Sequence, residues 1–335
     1  MRKAKSAASA KQLVAMHRGP VSSQSAAAHI MRQVRENGLP SAISASSQRR
    51  ARQREASIST SFGDVLVPMK LKTQDGDDLT VWISSPLALL EHTVRVCPGF
   101  RAFFKNALAQ HPCTIGNPWG LILYFDEVSP TDPVSPHADM RKIQGVYWTF
   151  VEFVPFTSRD ELWFILACIP SHELEDVDSG MAQVIGSALR QFFFDPAGHN
   201  LATSGAAFDL QDGRAMQHLF AEHAILIADF LAISDFLGSM AQNGLAPCPI
   251  CRNIVKDDIA AAGVQLGLSN LDCSAWILHT DASICALFAY MAAKKPTMTP
   301  NQFEYLESRV GYHYSEHSII VRSPSYKPIS TLCFD

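Results

Sequence analysis

Two acids raise the first chemical question. Asp126 follows the apolar run "LILYF" (121–125), and Asp229 follows "LIA" in "LIADF" (226–230). If both runs are strands lying parallel and side by side, both carboxylates leave the sheet at one edge. Carboxylates held that close repel, and a cation relieves the cost. Their hard oxygen donors suit Mg²⁺ or Mn²⁺, and a pair of such ions supports in-line displacement at a phosphodiester. Plainer roles exist for the same residues. Asp commonly follows strands in turns, and Asp229 suits the cap of a helix beginning near Leu231. Glu127 competes with Asp126, and alternation does not choose between them because both faces of the run look apolar.

A second constellation lies downstream. Cys248 and Cys251 in "APCPICRN" are separated by two residues, a spacing that lets two thiolates share one tetrahedral zinc from a tight turn. Alone the pair is a half-site, and the same spacing serves redox chemistry at a helix start. Cys273 and His279 in "DCSAWILHTD" complete a loose four-ligand Zn²⁺ set, with 21 and then 5 residues between successive ligands. Their plain roles are a buried free thiol and a hydrogen-bonded histidine. Walker A, G-x-G-x-x-G, G-x-S-x-G and H-E-x-x-H patterns are absent.

The elements around these residues must position them. "GDVLVPMKLKTQDGDDLTVWISS" (63–85) predicts a β-hairpin turning at Asp-Gly. Residues 86–110 predict a helix broken in two at Pro98 and Gly99. "LILYF", "IQGVYWTFVEFVP" (143–155) and "ELWFILACI" (161–169) predict three strands in antiparallel order. Met181, Val184, Ile185, Ala188, Leu189 and Phe192 recur at helical spacing within 176–194. A fourth strand then ends near residue 230, and "LAISDFLGSMA" (231–241) predicts a further helix. An antiparallel trio, a crossover helix and a fourth strand parallel to the first is the order of a ribonuclease H-like α/β fold, with the crossover right-handed.

The bulk composition is consistent with this. The chain has 335 residues, 47% hydrophobic and 18% charged, with material for about two domains. Its net charge of −4 conceals an asymmetry: residues 1–60 hold 11 Lys/Arg against 2 Asp/Glu, and the remainder 17 against 30. The first 60 residues are Ala-, Ser-, Gln- and Arg-rich and predict a basic disordered arm, with short helices at 8–17 and 26–37. Arg49, Arg50, Arg52 and Arg54 in "RRARQR" suit a nucleic-acid or nuclear-import patch, or a plain solvated tail. An organelle transit peptide is a further reading of this arm. Eight scattered cysteines and no apolar leader predict reduced thiols in the nucleus or cytosol, and no run is long enough for a membrane span. The expected organisation is a basic arm (1–60), a small α+β module (61–118), the sheet core (119–240) and a helical, zinc-loop insertion (241–335).

The joint pattern resembles the catalytic region of CACTA-superfamily (En/Spm-like) transposases. "LILYFDEVSPTDP" looks like their first-acid strand and "RKIQGVYWTFVEF" like the strand after it. "ADFLAISDFLGSMAQNGLAPCPIC" (228–251) looks like their second-acid strand, Gly-bearing helix and Cys-Pro-x-Cys segment, with Leu231 in place of an expected proline. The resemblance covers about residues 120–279. It implies a ribonuclease H-like core for metal-dependent DNA cleavage and strand transfer, with Asp126 and Asp229 as the first two metal-binding acids. It favours Asp126 over Glu127, and implies that Cys248 and Cys251 open a zinc-stabilised insertion. DNA is the implied partner, the nucleus the implied location, and association of identical copies is compatible with it. A third acid is required, and Glu304, Glu307 and Glu316 are candidates without a clear motif. Asp335 looks like the start of an Asp-x-x-His segment, so a truncated copy is expected. The alternative is a non-catalytic derivative that binds nucleic acid or protein.

Overall fold

A computed structural model describes residues 58–128, 142–154, 162–193, 199–211, 213, 216–261, 265–322 and 326–334. The arm with Arg49, Arg50, Arg52 and Arg54, the two short helices expected within it, the proline loop after Val128, and Asp335 lie outside these residues.

The hairpin forms as its alternation predicts. Leu66–Lys72 (β1) and Asp78–Ser84 (β2) pair antiparallel from Leu66↔Ser84 to Lys72↔Asp78. Met69, Leu71, Val81 and Ile83 are buried while Lys70, Lys72 and Trp82 are exposed. Helices Pro86–Val96 (α1) and Pro98–Gln110 (α2) follow, each opened by a proline, with extended Cys97 ending one and starting the other. The break expected at Pro98 is therefore observed.

The centre is a five-stranded mixed sheet. Its strands are Trp119–Val128 (β3), Ile143–Phe150 (β4), Phe164–Pro170 (β5), Ala221–Ala228 (β6) and Leu332–Phe334 (β7), ordered β7-β6-β3-β4-β5. β3, β4 and β5 are antiparallel neighbours, and β6 lies beside β3 and parallel to it, as the sequence predicts. β7 adds to the outer edge of β6, again parallel, through Leu226↔Leu332 to Ala228↔Phe334. Three residues are too few to show a period, so β7 has no sequence signature.

Gly180–Phe193 (α3) covers one sheet face, burying Met181, Val184, Ile185, Ala188, Leu189 and Phe192. Leu121, Leu123, Phe125, Trp148, Leu226 and Ala228 are buried in the same core, and the Trp148 and Phe192 rings stand 5.1 Å apart. Full burial of each large apolar side chain contributes roughly 1.5–3 kcal/mol. The hairpin and α2 share this core, with Phe104 edge-on to Trp119 at 5.7 Å. Beyond β6 come Phe230–Phe236 (α4), Asp281–Lys294 (α5), Pro300–Val310 (α6) and the single turn Ile319–Arg322 (α7).

Three boundaries differ from expectation. β3 runs through both acids to Val128, because β4 keeps pairing with it: Asp126↔Gly145, Glu127↔Gln144, Val128↔Ile143. β4 stops at Phe150, where Val151–Phe153 forms a 3₁₀ turn. The helix expected over 231–241 stops at Phe236. Gly238, at φ +69°, closes it with Gly238 N–H donating to Asp235 and Ser239 N–H to Ser234. A Cβ there would also sit 3.0 Å from the His313 carbonyl oxygen, so two constraints ask for glycine.

Candidate functional site

β6 pairs with β3 as Leu226↔Leu123 and Ile227↔Tyr124, and this parallel pairing ends two residues before each acid. Asp229 keeps extended backbone at φ −68°, ψ 170° as the cap of α4. β6 ends at Ala228 whereas β3 continues against β4. Asp126 is thus past the end of the parallel pair but still inside the antiparallel one.

Each carboxylate is held by one oxygen. Asp126 Oδ2 accepts from the Tyr124 hydroxyl at 3.0 Å, and Asp229 Oδ1 accepts from the Ala232 N–H at 2.7 Å, capping α4. Both the metal-ligand reading and the cap reading of Asp229 are therefore compatible with one side chain. Opposite Asp126, Gly145 leaves room for the Tyr147 ring; a Cβ at Gly145 would lie 2.5 Å from the Tyr147 hydroxyl. Tyr147 stacks on Tyr124 at 5.9 Å, and Trp163 meets Tyr124 edge-on at 6.1 Å. Burial pushes the Tyr147 hydroxyl pKa up, helped by Cys168 and Asp126. On this sheet face Ile165 stays 50% exposed, so Asp126 sits beside an aromatic, partly open surface.

Glu127 is turned to the other face, where it is fully engaged. Lys142 Nζ is 3.0 Å from its carboxylate, and Gln144 and Ser171 donate to it at 3.2 and 3.0 Å. It lines a cleft of about 750 Å³ together with Asp178, Asp235 and Glu307. Asp235 lies on α4, six residues after Asp229. Its carboxyl pKa is raised by burial and then by the charge of Asp229, a repulsion that a cation at Asp229 would ease.

Of the three third-acid candidates, Glu307 alone lines that cleft. Glu307 accepts from the Tyr314 N–H at 2.7 Å and pairs with His313 at 3.7 Å, while Glu304 and Glu316 are exposed. Among the described residues no group of three or more His, Cys, Asp or Glu side chains is arranged to hold a metal. Asp126 and Asp229 each retain an oxygen without a protein hydrogen bond in the contacts above. Mg²⁺ commonly takes only one or two protein carboxylates, with water and substrate phosphate filling the rest. The two carboxylates are hard oxygen donors of the kind Mg²⁺ or Mn²⁺ takes.

The four-residue zinc set is brought together only in part. Cys248 and Cys251 are hydrogen-bonded neighbours, and burial followed by that contact pushes the Cys251 thiol up to about 12. The 250–252 and 277–279 segments pair through their backbones, with His279 N–H donating to Ile250 at 2.7 Å. The His279 Nδ1 meets the Ser283 hydroxyl at 3.0 Å, a bond that does not involve Nε2, and burial lowers the ring's pKa to about 4. Cys273 is exposed, its thiol directed at the Leu271 carbonyl 3.6 Å away. A closed zinc site needs four converging ligands, and this arrangement does not supply them.

No protein-family model and no curated protein matches the chain. Sequence reasoning had no signal for Tyr124 and Tyr147 beyond strand propensity. Their place beside Asp126 follows from the even spacing of 124 and 126 and from the β3–β4 register.

Proposed function

We propose that this chain carries a transposase-type, ribonuclease H-like core whose Asp126–Asp229 edge binds a divalent cation and processes DNA. The observation that supports the reading is the parallel pairing of β6 on β3, whose last pair, Ile227↔Tyr124, lies two residues before each acid. The strand order β7-β6-β3-β4-β5 supports it independently. Mg²⁺ or Mn²⁺, when bound, would activate a nucleophile and stabilise the leaving oxygen of a phosphodiester. Asp126 and Asp229 would hold it, Tyr124 fixing the first through its hydroxyl and the α4 cap fixing the second. Glu127, already paired with Lys142, has no such part. Arg49, Arg50, Arg52 and Arg54 would contact the DNA backbone, a contribution that weakens as salt rises. A nuclear location accords with that partner.

Nicking of supercoiled plasmid in Mg²⁺ or Mn²⁺ tests the reading. Asp126→Asn and Asp229→Asn should each abolish cleavage while Glu127→Gln retains it; cleavage surviving both Asp changes would sink the metal role. A second reading, a non-catalytic nucleic-acid-binding derivative, is favoured by one observation: no third acid joins the pair among the described residues. It predicts salt-sensitive DNA binding without nicking, unchanged by either Asp substitution.

A further inference from the structure

The segment that leaves the zinc set incomplete holds large apolar side chains out in solvent. Leu268, Leu271, Trp276, Ile277 and Leu278 are 49%, 84%, 37%, 43% and 56% exposed. Apolar residues scattered singly over a surface need no explanation, but five within residues 268–278 do. Trp276 has extended backbone, and Leu278 makes a β-bridge with Cys251. Consecutive side chains of an extended segment point to opposite sides. With Ile277 and Leu278 both exposed, the fold fully covers neither side of this stretch.

Hydrogen bonds hold the loop in one shape. At its base Ile254–Val255 and Leu266–Gly267 pair in parallel, and Ile254 and Val255 are buried. Buried Asn253 ties the two limbs together. Its carbonyl accepts from the Leu266 N–H at 2.8 Å, its side-chain oxygen accepts from the Ile277 N–H at 2.8 Å, and its side-chain nitrogen donates to the Ala275 carbonyl at 3.0 Å. Asp257 accepts from the Ser269 N–H and hydroxyl at 3.1 and 2.7 Å, and Asp272 accepts from the Ser274 N–H at 3.1 Å. A slack loop could fold its apolar side chains inward; this one is fixed with them outward. Such pre-ordering lowers the entropy that an association must overcome.

Area and charge select the occupant. Taking about 200 Å² for each large side chain, the exposed fractions leave on the order of 500 Å² open per copy. Two copies meeting here would bury on the order of 1,000 Å², the lower bound for a specific interface. The rim carries both signs. Arg252, whose N–H donates to the Ile277 carbonyl, is exposed, and so are Asp258 and Asp272. Surfaces for nucleic acid or anionic lipid are dominated by basic charge. A two-fold contact sets one patch against itself, so a rim of both signs lets the cation of one copy meet an acid of the other. We propose that the 268–278 loop is a self-association surface through which two copies of this chain form a dimer, with Trp276 as its aromatic anchor.

Sedimentation velocity on the full-length protein tests this. Between about 1 and 100 μM the parent should show a monomer–dimer equilibrium, and Leu271→Glu and Leu278→Glu should each weaken it at least about tenfold. Ile115→Glu, at a 63% exposed apolar residue outside the loop, should leave the equilibrium unchanged. All three variants should melt with the parent at the dilute end, because none of these positions is in the core. A parent that stays monomeric at about 100 μM overturns the proposal. So does a dimer that both loop variants leave intact, or one that Ile115→Glu weakens as much as Leu271→Glu. A monomer that binds plasmid DNA or anionic vesicles through Leu271 would assign the loop to that partner, and also overturns it. None of these outcomes depends on the Asp126–Asp229 reading.

Discussion

The acid edge and the cysteine loop look alike as sequences: each presents chemically apt residues at a spacing that suits a metal. They differ in what connects the residues. Asp126 lies on β3 and Asp229 directly follows β6, its parallel neighbour, each two residues past the last pair, Ile227↔Tyr124. Cys248, Cys251, Cys273 and His279 are joined by loop, where no repeating ladder fixes which way a side chain turns. The backbones of the two loop segments do meet, yet His279 turns to Ser283 and Cys273 to the Leu271 carbonyl. A sheet transmits sequence spacing into geometry; a loop transmits only proximity.

The largest expected effect separates the two regions by function. Losing an acid that holds a catalytic cation removes several kcal/mol of transition-state stabilisation, so Asp126→Asn or Asp229→Asn should lower the nicking rate by at least about 10³-fold. Cys273→Ser should leave it within about twofold of the parent, since its exposed thiol meets only a local carbonyl. A comparable loss at Cys273 would put the loop on equal footing with the edge.

Acid should separate them next. His223 and His279 are both lowered from 6.5 to about 4 by burial. Between pH 6.5 and 4 the unfolded chain takes up protons that the folded chain refuses, so stability falls through that window and is fully present above it. For His223 the loss amounts to at most about 3 kcal/mol. For the half-buried His279, solvent screening leaves less, about 1 kcal/mol. His313 works in the opposite direction, since its pairing with the Glu307 carboxylate raises its pKa and adds stability at low pH. Urea denaturation at pH 7 and pH 4.5, on the parent and on His223→Phe, resolves these parts. If the acid loss left in His223→Phe responds to a chelator, then His279 is a metal ligand after all and the contrast between the regions fails.

At the edge, the structural and chemical roles of Asp229 can be told apart. Asn caps a helix about as well as Asp, whereas Ala costs about 1 kcal/mol. Asp229→Ala should therefore lose about that much stability relative to Asp229→Asn, with both inactive. Thermal melts measure it, and equal stability of the two would mean that the 2.7 Å bond to Ala232 contributes nothing.

How far the sequence foretold this outcome depends on periodicity. The hairpin, α3 and the antiparallel trio were legible because their side chains repeat every second residue or every helical turn. The parallel placement of β6 was read from the element order, an antiparallel trio followed by a helix and a fourth strand. Glu127 and Asp126 were indistinguishable in sequence, because the run before them is apolar on both faces; Lys142, Gln144 and Ser171 draw Glu127 to one side. β7 was illegible at three residues, because it pairs with only Leu226–Ala228.

The smallest expected effect leaves fold and activity untouched. The thiolate is the reactive form of cysteine, and the Cys251 thiol is pushed up to about 12 while Cys273 is exposed. Iodoacetamide at pH 8 should thus label Cys273 at least about tenfold faster than Cys251, as read by peptide mass spectrometry. Joint protection of Cys248, Cys251 and Cys273, relieved by a chelator, would instead reveal a zinc loop.

Direct measurement of cation binding reaches the centre of the account without relying on turnover. Water-proton relaxation during Mn²⁺ titration should report a site in the full-length protein that Asp126→Asn and Asp229→Asn each weaken by at least about tenfold and that Glu127→Gln leaves intact. A site that survives both Asp substitutions, or that disappears with Glu127→Gln alone, would contradict the claim that strand register builds the metal-binding edge.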